Sequence, residues 1–119
     1  MIVPSQKNLY VGVMSGTSLD GVDVAFAEID VLDADLQRPR FAVRLVATGE
    51  RAYPPDLRER VRALREGHPH PIAEVCRLHV ELGEIYAEAV LQVADDNAVS
   101  LSAVDGLGLH GQTVWHSPP

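Results

Sequence analysis

The chain has 119 residues, a formal net charge of −7 and 46% apolar residues. This length is enough for one small domain with its own core. The acidic balance argues against nonspecific binding to nucleic acid or to a membrane surface, since both need a basic face. A phosphate ligand is still possible, because backbone amides and a metal ion can bind one without lysines.

Cys76 is the only cysteine, so an internal disulfide is impossible and a reducing cytoplasm is the simplest location. The N-terminal residues show no charged-then-apolar leader, and no apolar run approaches the length of a membrane span. We therefore expect a cytoplasmic protein that binds neither membrane nor nucleic acid.

An antiparallel three-stranded meander is predicted first. Residues 1–8 are expected to fray, and strands are predicted over 9–14, 22–29 and 40–48, with a solvated connection over 30–39. The first strand is apolar on both faces, as in a central strand buried on both sides. In the third strand, Phe41, Val43, Leu45 and Ala47 alternate with more polar residues and should share one face.

Two helices and a further strand follow. Pro55 and Asp56 are typical of a helix start, and Gly67 is typical of its end. A longer helix over 71–94 carries an apolar seam at steps of three and four residues: Ile72, Val75, His79, Leu82, Tyr86, Ala89 and Val93. Gly83 weakens this helix, which favours a close approach to the sheet there. A last strand is predicted over 104–110, and 114–116 should begin another.

The segment 15–21 between the first two strands predicts a hairpin with a polar tip. Gly16 and Gly21 permit backbone angles closed to other residues and leave amide groups bare. Consecutive bare amides form an anion site, to which Thr17 and Ser18 add hydroxyl donors.

Two carboxylates accompany this tip. Asp20 and Asp23 could hold a hydrated Mg²⁺, the usual companion of nucleotide phosphates. Glycine, serine, threonine and aspartate are also what any hairpin turn uses. The segment is not a P-loop, because no Gly-Lys-Ser/Thr follows the glycines. From the residues alone, a phosphate site and an ordinary turn both stay open.

A second polar segment, His110-Gly111-Gln112-Thr113, follows the last strand. Open α/β sheets bind ligands at the carboxyl ends of their strands. Gln112 and Thr113 can donate and accept hydrogen bonds, as sugar hydroxyls require. His110 is either a cleft residue or a buried imidazole bonded to nearby backbone.

Both segments resemble signatures of a known family. Gly12-Val-Met-Ser-Gly-Thr-Ser-Leu-Asp-Gly-Val-Asp23 is similar to the opening signature of the anhydro-N-acetylmuramic acid kinases, and the His110–Thr113 segment, with the histidine and proline after it, is similar to the second. The family belongs to the sugar-kinase and actin-like ATPase superfamily, which has a ribonuclease H-like fold. The resemblance implies an α/β N-terminal subdomain, incomplete here, with residues 1–119 forming part of one lobe of a two-domain kinase.

The resemblance also implies site residues. ATP phosphates would bind Gly16, Thr17, Ser18, Leu19, Asp20, Gly21, Val22 and Asp23, with Mg²⁺ held through water near Asp20 and Asp23. The substrate cleft would include His110, Gly111, Gln112 and Thr113. The implied reaction uses ATP to phosphorylate 1,6-anhydro-N-acetylmuramic acid while water opens its anhydro bridge. The product, N-acetylmuramic acid 6-phosphate, belongs to peptidoglycan recycling.

The family's members are longer, and the aspartate that acts as their general base matches no residue here. We therefore expect no catalytic residue and little activity from the chain alone. We also expect exposed apolar surface, and association with a separately encoded C-terminal half or as a homodimer. The alternatives are a non-catalytic nucleotide- or sugar-binding module and one half of a split kinase. A hydrolase using Ser15 or Ser18 ranks lower, because a strand rather than a helix follows the loop.

Overall fold

The structure is a computed structural model that describes residues 7–119. Its elements are, in chain order, β1 (Asn8–Ser15), β2 (Gly21–Asp33), β3 (Arg40–Ala52), α1 (Pro55–Arg65), α2 (Ile72–Asp96), a 3-10 turn (Leu101–Ala103) and β4 (Val104–Leu109). This order confirms the predicted α/β class and is consistent with the N-terminal subdomain of an actin-like ATPase. Of the predicted frayed segment, residues 1–6 lie outside the described residues, and Asn8 already begins β1.

The four strands form one sheet in the order β3-β2-β1-β4. The three strands of the meander are antiparallel, whereas β4 lies parallel to β1. The carboxyl ends of β1 and β4 therefore meet at the same edge of the sheet. The segments that leave these two ends, 16–20 and 110–113, are the two that carry the polar motifs, and this is the edge at which α/β sheets bind ligands.

Both helices cover the same face of the sheet. The core between them consists mainly of valines from β1 and β2 with apolar residues of the helices: Val11, Val13, Val22, Val24, Phe26, Leu57, Val61, Tyr86, Ala89 and Val93. On the other face of β1, Gly12 and Met14 are exposed. The prediction that β1 is buried on both faces is therefore wrong for the described residues, because nothing among them covers that second face.

The ends of α1 follow the sequence signals. Pro55 and Asp56 occupy its first turn, and Gly67 adopts a left-handed φ of 79° just after the helix. The amide of Gly67 donates to the carbonyl of Leu64 at 3.1 Å, and that of His68 donates to Ala63 at 3.2 Å. This pair of bonds satisfies helix-end carbonyls and needs a residue without a side chain at position 67.

The predicted seam of α2 is correct only in its C-terminal half. Tyr86, Ala89 and Val93 are buried, but Ile72 is 78% exposed and His79 is also exposed. The N-terminal half faces α1 through ion pairs of Arg60, so fewer apolar positions are covered there. The expectation for Gly83 is wrong as well, since a Cβ at that position would have no atom within 4 Å.

A β-bulge divides β3 into two parts. Phe26 pairs with Ala47 and Ala27 pairs with Leu45, so Val46 is an extra residue. A bulge reverses the alternation of the strand on its two sides. Ala47 thus faces the helices, while Leu45, Val43 and Phe41 face the opposite side. The prediction that positions 41, 43, 45 and 47 share one face is wrong for this reason.

Other boundaries differ by a few residues. β2 continues to Asp33, so its connection to β3 is shorter than predicted, and β3 itself continues to Ala52. β4 ends at Leu109, and residues 114–116 form no strand within the described chain. Among residues 7–119, no helix is both long and apolar enough to cross a membrane.

Candidate active site

The loop 16–20 that follows β1 is a tight turn fixed by a buried leucine. The amide of Leu19 donates to the carbonyl of Gly16 at 3.3 Å, and Leu19 has a left-handed φ of 59°. Its side chain is fully buried, with 0% exposure. A left-handed leucine costs about 1–2 kcal/mol, and burying a leucine side chain contributes about 1.5–3 kcal/mol. The buried anchor therefore offsets the strain and leaves Thr17 and Ser18 at the exposed tip.

The two loop glycines act differently from the prediction. Among the described glycines, only Gly67 and Gly111 have a positive φ, so neither Gly16 nor Gly21 supplies a special turn angle. Gly21 is instead required by space, because a Cβ there would lie 2.1 Å from the carbonyl oxygen of Arg51. The close approach of β2 and β3 at this point depends on that glycine.

Helix α1 holds the loop from outside. Arg65 donates to the carbonyl oxygen of Thr17, and Arg58 Nη2 lies 3.2 Å from Asp20 Oδ1. Just before α1, the amide of Tyr53 donates to the carbonyl of Asp20 at 3.1 Å. Neither arginine belongs to a sequence motif, so neither was predicted to contact the loop. Their spacing of seven residues, two helical turns, places them on one face and was the available signal.

The second motif lies directly against the first. The amide of His110 continues the pairing of β4 with β1 by donating to Val13 at 3.0 Å. Gly111 then turns with a φ of 79°, and its carbonyl accepts a hydrogen bond of 2.9 Å from Ser15 Oγ. The change of direction at Gly111 is thus fastened to the end of β1.

Gln112 bridges the two motifs with its side-chain amide. Its Oε1 accepts from the Tyr53 hydroxyl at 3.0 Å. Its Nε2 donates to the carbonyl of Thr113 at 3.1 Å and lies 3.5 Å from the carbonyl of Gly16. Residues 96 positions apart in sequence are therefore joined across the site.

Three buried hydroxyl groups form the base of this junction. Ser15 Oγ lies 3.0 Å from the hydroxyl of Tyr86, which lies 3.4 Å from that of Tyr53. Ser15, Tyr86 and Tyr53 are all buried. Burial raises the pKa of the Tyr53 phenol above its ordinary value of 10.0, so the hydroxyl keeps its proton near neutral pH.

A concavity of about 290 Å³ opens beside the loop. Its lining consists of Gly16, Ser18, Asp20, Gly21, Val22 and Asp23 with Glu50, Arg51 and Ala52. Six of the eight predicted phosphate residues therefore lie around one space. Leu19 is directed into the core instead, and Thr17 lies at the tip outside the lining.

A larger depression of about 880 Å³ lies on the face of the sheet that the helices leave open. Gly12, Gly108 and His110 line it, together with Asp23 and Glu50. Asp23 and Glu50 are partners in the β2–β3 register and line both concavities. Glu50 was missed by the sequence analysis, since it precedes neither a turn nor a motif.

The carboxylates suit a magnesium ion only in part. Asp20 already pairs with Arg58, whereas Asp23 is exposed and faces both concavities. Across residues 7–119, no group of three or more His, Cys, Asp or Glu side chains could hold a metal ion. Magnesium commonly binds through one or two carboxylates, with phosphate oxygens and water as its other ligands. The donors present therefore fit an ion that arrives with a nucleotide, and Asp23 fits better than Asp20.

The loop tip also presents free backbone amides. Within the described part of the chain, the amide of Leu19 is bonded to Gly16, while those of Thr17 and Ser18 have no protein acceptor. Two adjacent amides of this kind, next to two side-chain hydroxyls, can bind an anion. The opposite side of the site offers the amide, hydroxyl and imidazole of residues 110–113, which suit a neutral polar ligand.

Comparisons with known proteins identify the family of the chain. The sequence profile of the family "Anhydro-N-acetylmuramic acid kinase" matches residues 8–119. An anhydro-N-acetylmuramic acid kinase of Vibrio vulnificus is 38% identical over 114 residues, covering 96% of this chain and 28% of the relative. One of Gloeobacter violaceus is 42% identical over 111 residues, covering 93% and 28%. One of Synechococcus elongatus is 41% identical over 108 residues, covering 91% and 26%.

The chain thus spans about 28% of the length of these curated relatives. The match begins at residue 8 and includes both polar motifs. The chain belongs to the anhydro-N-acetylmuramic acid kinase family.

Proposed function

We propose that this chain supplies the phosphate-binding loop and part of the sugar cleft of an ATP-dependent anhydro-N-acetylmuramic acid kinase. The observation that supports the proposal is the junction of the loop 16–20 with residues 110–113, which brings the free amides and hydroxyls of the loop beside the polar groups of the second segment. Phosphoryl transfer depends mainly on such positioning and on charge neutralisation.

On the nucleotide side, the amides of Thr17 and Ser18 and their hydroxyls would bind phosphate oxygens of ATP. The carboxylate of Asp23 would face Mg²⁺, which neutralises phosphate charge when bound. Asp20 would act mainly through Arg58, by holding the loop against α1.

On the sugar side, His110, Gln112 and Thr113 would orient 1,6-anhydro-N-acetylmuramic acid. Transfer of a phosphoryl group to its 6-oxygen, with water opening the anhydro bridge, yields N-acetylmuramic acid 6-phosphate for peptidoglycan recycling. We assign the general base to no residue of this chain. Residues that complete the site would come from a C-terminal half or from a second copy. ATP as co-substrate favours a cytoplasmic location.

Titration of the 119-residue chain with ATP, with and without Mg²⁺, tests the nucleotide site. We expect binding of Mg²⁺·ATP with chemical-shift changes confined to the loop 16–23. Substitution Asp23→Asn should weaken the affinity for Mg²⁺·ATP roughly tenfold, since it removes a charged ligand. The affinity for metal-free ATP should not fall, because Asp23 repels bare phosphate.

The matched control is Asp96→Asn, which removes an exposed carboxylate at the end of α2. This variant should bind both forms of ATP like the parent. A folded chain that shows no binding of Mg²⁺·ATP at millimolar concentration would overturn the proposal, as would equal losses in the two aspartate variants.

A further inference from the structure

We infer that Tyr53 is a positioning residue for Gln112: its hydroxyl holds the Gln112 side-chain amide in one orientation, with the NH₂ group toward the phosphate loop. The inference rests on the proposed function, in which Gln112 contacts the sugar. Tyr53 itself touches neither ligand in this scheme. It acts only through the amide that it orients.

A count of protons shows that the Tyr53 hydroxyl donates to the oxygen of this amide. The carbonyl of Gly111 and Gln112 Oε1 can only accept, so Ser15 donates to the first and Tyr53 to the second. Tyr86 has one proton for its two hydroxyl neighbours, and Ser15 is the nearer, at 3.0 Å against 3.4 Å for Tyr53. The proton of Tyr53 is therefore committed to Gln112 and that of Tyr86 to Ser15.

The two ends of the Gln112 amide have different partners, and Tyr53 holds the oxygen end. A side-chain amide can rotate by half a turn unless its oxygen and nitrogen have different partners. Rotation here would turn the amide oxygen toward the carbonyls of Gly16 and Thr113, which cannot donate, and would take the acceptor away from the Tyr53 hydroxyl. Tyr53 is 5% exposed, and burial raises the pKa of its phenol, so deprotonation does not release the amide.

The fixed orientation leaves one specific position for a ligand. The two hydrogens of Nε2 are directed at the carbonyls of Thr113 and Gly16. One lone pair of Oε1 accepts from Tyr53, and the other stays available. An acceptor presented beside a phosphate site suits a hydroxyl group of a sugar, and it would not suit a carboxylate or a phosphate.

The experiment follows the Gln112 side-chain amide by ¹⁵N NMR in the 119-residue chain. In the parent, the two amide protons should exchange slowly and the group should be rigid. In Tyr53→Phe, the same signals should become more mobile than in the parent, because the oxygen end of the amide loses its hydroxyl donor. In Tyr86→Phe they should stay rigid, since the bond from Tyr53 is kept. A mobile Gln112 in the parent, or a rigid one in Tyr53→Phe, would overturn the inference.

Titration with 1,6-anhydro-N-acetylmuramic acid provides the functional readout. Tyr53→Phe should weaken sugar affinity roughly fivefold, the equivalent of one ordinary hydrogen bond, with the affinity for Mg²⁺·ATP unchanged. Tyr10→Phe is the matched control: Tyr10 bonds to Asn8 and lies away from the site, so it should alter neither affinity. An equal loss of both affinities in Tyr53→Phe would indicate a merely structural role. Failure of the parent to bind Mg²⁺·ATP would count against the proposed function alone, because the rigidity of Gln112 is measured without any ligand.

Discussion

At one end of the sheet, the strands that lead into the loop 16–20 lie under α1 and α2, whereas residues 31–46 at the far end of the β2–β3 hairpin are all exposed. Phe26 and Phe41 illustrate the contrast, since the first is 0% and the second 53% exposed although both lie in the same pair of strands. The bulge at Val46 marks the boundary, because it directs the apolar residues before it away from the helices.

The difference shows which end of the sheet is held in place by contacts among the described residues. At the loop end, each segment is held by at least two neighbours, including α1, β4 and the buried hydroxyls. At the far end, the apolar residues Val31, Phe41, Val43 and Leu45, here called the distal strip, share the open face of the sheet. A loop 16–20 that is held from several sides therefore coexists with an apolar surface that nothing among the described residues covers.

The largest expected effect comes from truncating one phenylalanine at each end. Phe26→Ala should lower the free energy of unfolding by about 3–5 kcal/mol, since it opens a cavity in the core. Phe41→Ala should cost about 1 kcal/mol or less, because an exposed strand position loses only local packing. Urea unfolding followed by circular dichroism measures both. Equal losses would mean that the far end is as well packed as the loop end.

Gly21→Ala should rank second. The added Cβ would lie 2.1 Å from the Arg51 carbonyl oxygen and 2.8 Å from the Ala52 Cα. Backbone atoms cannot move aside as a side chain can, so β2 and β3 must separate, at a cost of roughly 3 kcal/mol. The control is Gly108→Ala, where a Cβ would have nothing within 4 Å. If both variants unfold at the same urea concentration, the close approach at Gly21 is not a structural requirement.

Sequence reasoning succeeded where a signal is local. The hairpin tip and the start and end of α1 are each encoded within a few residues, and the structure has all of them. It failed where the cause is distant. The apolar alternation in the sequence of β3 gives no sign of the bulge at Val46. The burial that permits a left-handed Leu19 comes from elements far along the chain.

The candidate site divides in the same way. Both motifs could be identified from their residues, but their meeting at one edge of the sheet depends on the parallel pairing of β1 with β4, which was not predicted. The bond between Tyr53 and Gln112 spans 59 residues and that between Ser15 and Tyr86 spans 71. Tyr86 was read as part of an apolar seam, because periodicity reports which face is buried and not what its hydroxyl contacts.

A smaller effect concerns the loss of folding stability at acidic pH. The pKa of Glu74 is held below its ordinary value of 4.5, chiefly by its hydrogen bond from Arg60 between the helices. The pKa of Glu28, at the far end, is lowered chiefly by its hydrogen bond from Arg44. A carboxyl with a depressed pKa stabilises the fold above pH 4.5 and loses that contribution as pH falls through its folded value.

We therefore expect Glu74→Gln and Glu28→Gln each to flatten the fall in stability between about pH 5 and pH 3. Glu74 also has Arg77 as a partner, so its substitution should flatten the curve more. Both differences should shrink in 1 M salt, where exposed charges are screened. Thermal unfolding across this pH range, in low and high salt, measures the effect. The expectation would be refuted if stability fell equally with decreasing pH in the parent and in both variants.

The smallest effect on stability, and the sharpest test of the distal strip, is Val43→Thr. Val43 is 66% exposed, and threonine keeps its shape and its preference for strands, so unfolding should change by no more than about 0.5 kcal/mol. If the strip drives association, the variant should nevertheless sediment with less self-association than the parent. The same substitution at Val24, which is 2% exposed, should instead cost about 1–3 kcal/mol, because it buries a hydroxyl without a partner. A parent that sediments as a monomer at every concentration would show that exposed apolar residues at this end do not suffice for association, and that the contrast between the two ends concerns stability alone.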